Sequence, residues 1–164
     1  MTATSPLGQV LRDEDGLRLE FVRTLDTTVE DAWSALTEPD RMERWMGRWS
    51  GDPASGSVEF VMTAEGEVAP QPVRIARCEP PTALVVEMPT PDGTWHLTAT
   101  LSERAGRTEL VFVHRLAEPY DASAIGPGWQ YYLDRLAAVI DGRPVPAEFE
   151  EYYPALKDEY PIPG

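Results

Sequence analysis

This sequence is poor in the groups that usually announce a reaction. It has a single cysteine, Cys78, so no disulfide can close within the chain. It has two histidines, His96 and His114, with no cysteine or carboxylate spacing that would complete a metal site. No glycine-rich phosphate loop is present, and no cofactor is expected. The grouped carboxylates, Asp13-Glu14-Asp15 and Glu150-Glu151, are adjacent and solvated, so they make no catalytic dyad. No apolar run approaches the roughly 20 residues needed to span a bilayer. No N-terminal stretch joins basic residues to an apolar core as a signal peptide does. A cytoplasmic protein without membrane insertion is expected. Basic residues are scarce too: 14 Lys and Arg stand against 28 Asp and Glu, for a net charge of −14. Such a surface repels phosphate backbones and argues against nucleic acid as a partner.

What is present is a strong alternation of apolar and polar residues. At 164 residues the chain fits one domain with one core. Residues 1–16 read as a loose arm, and residues 17–164 as a single domain with its tail. Leu17, Leu19 and Phe21 alternate with Arg18, Glu20 and Val22, which predicts a first strand over about 17–25. Thr27, with Glu30 three residues on, reads as a capping box opening a short helix through Val29, Trp33 and Leu36. Pro39 suits the first turn of a second short helix that carries Met42, Trp45 and Met46.

Five further strands follow, each bounded by turn residues. They run over 57–63, 71–78, 83–88, 94–102 and 108–116. Val58, Phe60 and Met62 share one face of the first of them. Ala83 to Met88 is nearly all apolar and is expected to be buried on both faces. The short connections favour antiparallel neighbours. A long helix is predicted over 123–141, with Trp129, Leu133, Leu136 and Ile140 as its apolar stripe, widened by Tyr132 and Ala137. Gly142 is its expected C-cap. One more short helix is expected within 148–158. The expected fold is therefore α+β: a curved antiparallel six-stranded sheet wrapped around a long C-terminal helix, with two short helices after the first strand.

Several strings resemble the START-like superfamily with its helix-grip fold. The likeness is closest to the bacterial branch named as homologues of the activator of the heat-shock-protein-90 ATPase. Val29-Glu30-Asp31-Ala32-Trp33-Ser34-Ala35-Leu36-Thr37-Glu38-Pro39 resembles that branch's helix pair, and Trp45 its closing tryptophan. Thr108 to His114 is similar to its last strand, Gly128-Trp129 to Leu136 to its long-helix signature, and Tyr152-Tyr153-Pro154 to some of its tails. The superfamily includes lipid carriers, hormone receptors and polyketide cyclases, so fold likeness alone selects no activity. Eukaryotic co-chaperones of this name carry a separate N-terminal domain, which the residues before Leu17 are too few to form.

The candidate site follows from alternation. His114 shares the helix-facing side of its strand with Phe112, and His96 falls on the opposite side. Trp95 and Leu97 share the inward face of the preceding strand. Arg77 shares a face with Val73 and Ile75 and is expected to point inward near one mouth, whereas Arg74 points out. Cys78 reads as small buried filler. A helix–sheet salt bridge is expected at Arg135. Each large apolar residue, taken alone, is ordinary core. Taken together, Trp33, Trp45, Met46, Phe60, Met62, Trp95, Leu97, Phe112, Trp129, Tyr132, Leu133 and Leu136 are what lines a pocket for a flat or greasy molecule, with His114 and Arg77 orienting it. The leading expectation is non-catalytic binding or carriage of a small hydrophobic ligand. A cyclase-like enzyme using His114 as base, and a protein-interaction module, are the alternatives. A second copy of the chain and another protein are both admissible partners.

Overall fold

The computed structural model describes residues 8–62, 69–90, 93–116, 125–146, 149, 152–153, 156 and 158–160. The expected arm before residue 8, the strand end at Thr63, the Pro91-Asp92 turn, the first two residues of the expected long helix and much of the expected tail helix lie outside them.

The described strands form one antiparallel sheet in the order β1-β2-β8-β7-β6-β5-β4-β3. They are β1 (Gly8–Asp13), β2 (Gly16–Leu25), β3 (Arg48–Ser50), β4 (Ser57–Val61), β5 (Gln71–Glu79), β6 (Ala83–Thr90), β7 (Gly93–Arg104) and β8 (Arg107–Leu116). Helices α1 (Val29–Thr37) and α2 (Pro39–Met42) follow β2, and α3 (Ile125–Asp141) follows β8. The fold is α+β, with a large antiparallel sheet and a C-terminal helix.

The sheet has eight strands among the described residues, not six. The two additions are its edges. β1 arises where a loose arm was expected; it pairs residue for residue with β2 but buries only Val10. A half-wet edge strand carries little apolar signal. β3 is three residues long, too short to show a period, and it pairs Trp49 with Phe60 of β4.

Alternation decides the inner face. Leu17, Leu19 and Phe21 of β2 are almost completely buried, whereas Val22, next along the strand and opposite Val111 of β8, is half exposed on the outer face. Leu110, Phe112, His114 and Leu116 continue the inner face on β8. The capping of α1 is shifted by one residue from expectation. Thr28 is the N-cap and accepts from the Asp31 amide, while Thr27 Oγ1 donates to Asp31 Oδ2 at 2.8 Å. Gly142 closes α3 at φ 70°, a conformation open to glycine without strain.

α3 does not cover the whole inner face. It packs on β1 and β2, while α1 rests on β7 and β8. The β4–β6 half of the sheet thus has no long helix above it. This explains why β6 is not buried on both faces as expected: Leu84, Val85, Val86 and Met88 are all half-buried.

The tail closes over the opposite end. Tyr160 is buried beside Phe21, its ring centroid 5.9 Å away. It sits so close to Gly126 of α3 that a Cβ there would lie 2.4 Å from the tyrosine ring. Its hydroxyl donates to Gln130 Oε1 and accepts from the Gly8 amide. Tyr152 Oη donates to Asp134 Oδ2 at 2.7 Å.

Candidate functional site

The uncovered half of the sheet holds a cavity of about 380 Å³, partly open to solvent. Its floor is the inner face of β4–β8, and its roof comes from α1, the α1–α2 elbow, β3 and the first turns of α3.

The roof owes its form to helix ends. The last carbonyls of a helix have no partner within it. Here two tryptophans supply that partner. Trp45 Nε1 donates to the Ala35 carbonyl at 2.9 Å, and Trp49 Nε1 to the Thr37 carbonyl at 2.6 Å. Both indoles are thereby fixed at the end of α1, and both line the cavity. Trp129 enters from α3 and packs on Phe112 with centroids 4.4 Å apart. Its Nε1 donates to His114 Nδ1 at 3.0 Å. Three indole N–H groups are therefore turned into protein and away from the cavity.

Eight of the expected residues line this space: Trp33, Trp45, Met46, Phe60, Leu97, Phe112, Trp129 and Leu133. The others are placed elsewhere. His114 is completely buried behind Trp129, with Trp95 tilted over it at 4.6 Å. Tyr132 and Leu136 are buried in the core away from the cavity, and Met62 is half-buried against that core.

Arg77 reverses its expected direction. A bulge between Ile75 and Arg77 inserts Ala76 without a partner: Ile75 pairs with Val86, but Arg77 already pairs with Val85. One extra residue exchanges the two faces of a strand from that point on. Arg77 therefore points outward and pairs with Glu79, Nε to Oε2 at 2.6 Å. Cys78, expected as buried filler, is instead exposed and on the cavity wall.

Arg74 and His96 are exposed, as their positions in alternation suggest. The helix–sheet salt bridge exists one residue from its expected place. Asp134, not Arg135, bonds Arg23 of β2 at 2.8 Å. Arg135 donates to carbonyl oxygens of Trp45 and Pro146.

Sequence reasoning missed Trp49, Glu38 and Cys78 as wall residues. Trp49 sits in the short β3, and Cys78 depends on the bulge. Met42 and Met88 also line the cavity, and both lie in segments the sequence marks as apolar, the second short helix and the 83–88 strand. Among the described residues, Glu38 is the one charged residue on the wall.

Burial shapes the titration of His114 behind the wall. Desolvation, with the nearby His96 charge adding to it, lowers the His114 pKa to about 4. The ring is neutral near pH 7. Since Nδ1 accepts from Trp129, its proton resides on Nε2.

The sequence model of the family described as Activator of Hsp90 ATPase homolog 1-like protein matches residues 26–141. The chain belongs to this family. Its fold is also that of solved relatives in the START-like group. CalU16 from Micromonospora echinospora is 25% identical, with 97% of this chain and 96% of that one covered, at a TM-score of 0.74. A Bordetella parapertussis protein, encoded by gene BPP1335, is 24% identical over 96% of this chain and 93% of its own, at a TM-score of 0.73. EF2215 from Enterococcus faecalis, a conserved protein of unknown function, is 19% identical over 93% and 90%, at 0.71. No curated protein matches the chain.

Proposed function

We propose that this family member binds a small hydrophobic molecule in the cavity and holds it without transforming it. The observation that carries the reading is the wall itself. It is built of indole, phenyl and aliphatic surface, and three of its tryptophans have their only polar atom engaged by protein acceptors. Transfer of apolar ligand surface into such a space is worth roughly 25 cal/mol per Å² before ordering costs. A volume of about 380 Å³ lies within the range of small-molecule sites.

Two observations favour this over the alternatives. A cyclase-like reaction needs a base beside the substrate, and His114 stands behind Trp129, off the wall. An interaction module needs an apolar surface patch, and among the described residues Val22 is the one large apolar side chain that is exposed.

The test is mass spectrometry of the purified protein under native and then denaturing conditions. A co-purified hydrophobic molecule, lost on denaturation, is the expected result. An empty protein whose melting temperature is indifferent to a panel of lipids and polyketides would remove the reading.

A further inference from the structure

Most cavities for lipids must deal with a charged head group, and the chemistry at this mouth is one-sided. No arginine or lysine lies on the wall among the described residues. Arg41 and Arg48, which flank the α1–α2 elbow, are each engaged. Arg41 bonds Asp31 at 2.8 Å, and Arg48 bonds Asp40 at 2.5 Å. Arg44 is exposed and off the wall. The charged wall residue is Glu38, at the elbow between α1 and α2. Its Oε2 accepts from Ser34 Oγ, which fixes the carboxylate without neutralising it. It makes no ion pair among the described residues. A carboxylate or phosphate head placed here would meet a like charge on a protein already at −14.

The interior discriminates by shape and polarity. Its tryptophan donors are spent on protein acceptors, so a polar group deep in the cavity would lose its hydrogen bonds to water without replacement. The aromatic faces of Trp45, Trp49, Trp129 and Phe112 are held in place, and such faces pack best on flat rings.

We infer that the cavity selects a ring-bodied, apolar molecule whose single polar end is a hydrogen-bond donor, an ammonium best, set against Glu38, and that it turns away carboxylate- and phosphate-headed lipids. This rests on the cavity-binding reading above and names the ligand class for it. The ring enters; the amine stays at the mouth, in reach of water and of Glu38.

The test uses three probes with one body and different ends: pyrenebutylamine, pyrenebutanol and pyrenebutyrate. Binding is followed by energy transfer from tryptophan to pyrene at neutral pH and low salt. The amine should bind most tightly, and at least about fivefold more tightly than the acid, the scale of one close charge contact in water. Glu38→Gln should close that gap, and Glu38→Lys should reverse the order. Because each variant is read as a ratio between probes, a loss of fold removes all three together and is not mistaken for a change of preference. An acid that binds as well as the amine, or an amine-to-acid ratio unmoved by Glu38→Gln, would overturn the selectivity. If none of the three binds the native protein, the cavity-binding reading fails, and the selectivity falls with it.

Discussion

Trp129 faces the cavity with its ring and His114 with its nitrogen: the indole Nε1 donates to Nδ1 of the buried histidine across 3.0 Å. The histidine thereby orients one wall of a site it does not touch. His114→Phe keeps an aromatic ring of similar bulk but leaves the Trp129 donor without that acceptor. The expected cost is about 1–3 kcal/mol of stability, the price of an unmet buried donor, measured by urea denaturation. Ligand affinity should fall with it, because the Trp129 ring is no longer held.

The same histidine makes stability depend on pH in a defined window. Its folded pKa, about 4, lies below the ordinary value of 6.5. Between these values the unfolded chain takes up a proton that the folded chain does not, so stability rises with pH there and is lost on acidification. Going from neutral pH to pH 4 should cost about 3 kcal/mol, and His114→Phe should flatten that slope. The carboxylates act lower. Arg115 holds Asp13 well below the usual carboxylate range, Arg41 holds Asp31 low and Arg77 holds Glu79 low. Their contributions are present above the ordinary carboxylate pKa and fade only as pH falls through the lowered values. Denaturation midpoints taken at intervals through this range separate the two regimes.

The Arg23–Asp134 pair ties β2 to α3, with both side chains mostly withdrawn from water. Asp134→Ala removes the partner of a half-buried guanidinium and also the acceptor of Tyr152. A loss of about 3 kcal/mol is expected in thermal or urea unfolding. Replacing both members of the pair with apolar residues, as in Arg23→Met with Asp134→Leu, should recover most of it. A double variant as unstable as the single one would contradict that account.

Cys78 offers a direct report on the cavity. It is exposed and on the wall, so a small aromatic disulfide reagent should modify it readily in the native protein. Saturation with pyrenebutylamine should slow the modification several-fold. An unchanged rate would place the bound probe elsewhere.

Much of this architecture was legible in the residues. Leu17, Leu19 and Phe21, and later Leu110, Phe112, His114 and Leu116, display their buried face because a strand with one wet side repeats every two residues. The long helix announces itself through Trp129, Leu133 and Leu136. The edges were hidden for the complementary reason. β1 commits one apolar side chain to the core, and three residues of β3 make no period. The site was half legible. That Trp45 and Trp129 belong to an aromatic wall follows from composition. That their N–H groups end on Ala35 and His114 does not, because those contacts join residues distant in the chain or on separate elements. Arg135 failed as a salt-bridge candidate because its neighbour Asp134 is the residue that reaches β2.

The unpartnered Ala76 has a bearing on how relatives of this chain should be compared. Everything after it on β5 is counted from a shifted origin, which is why a thiol and not a guanidinium meets the cavity. A chain lacking that one residue would pair without a bulge and keep Arg77 outside and Cys78 inside, whereas a chain of the same length with Ala76 paired in a regular ladder would present the opposite chemistry, a cation inside and a thiol outside. Ligand charge preference in such a lineage can therefore invert through loss of the bulge at constant length, with no substitution at any wall position.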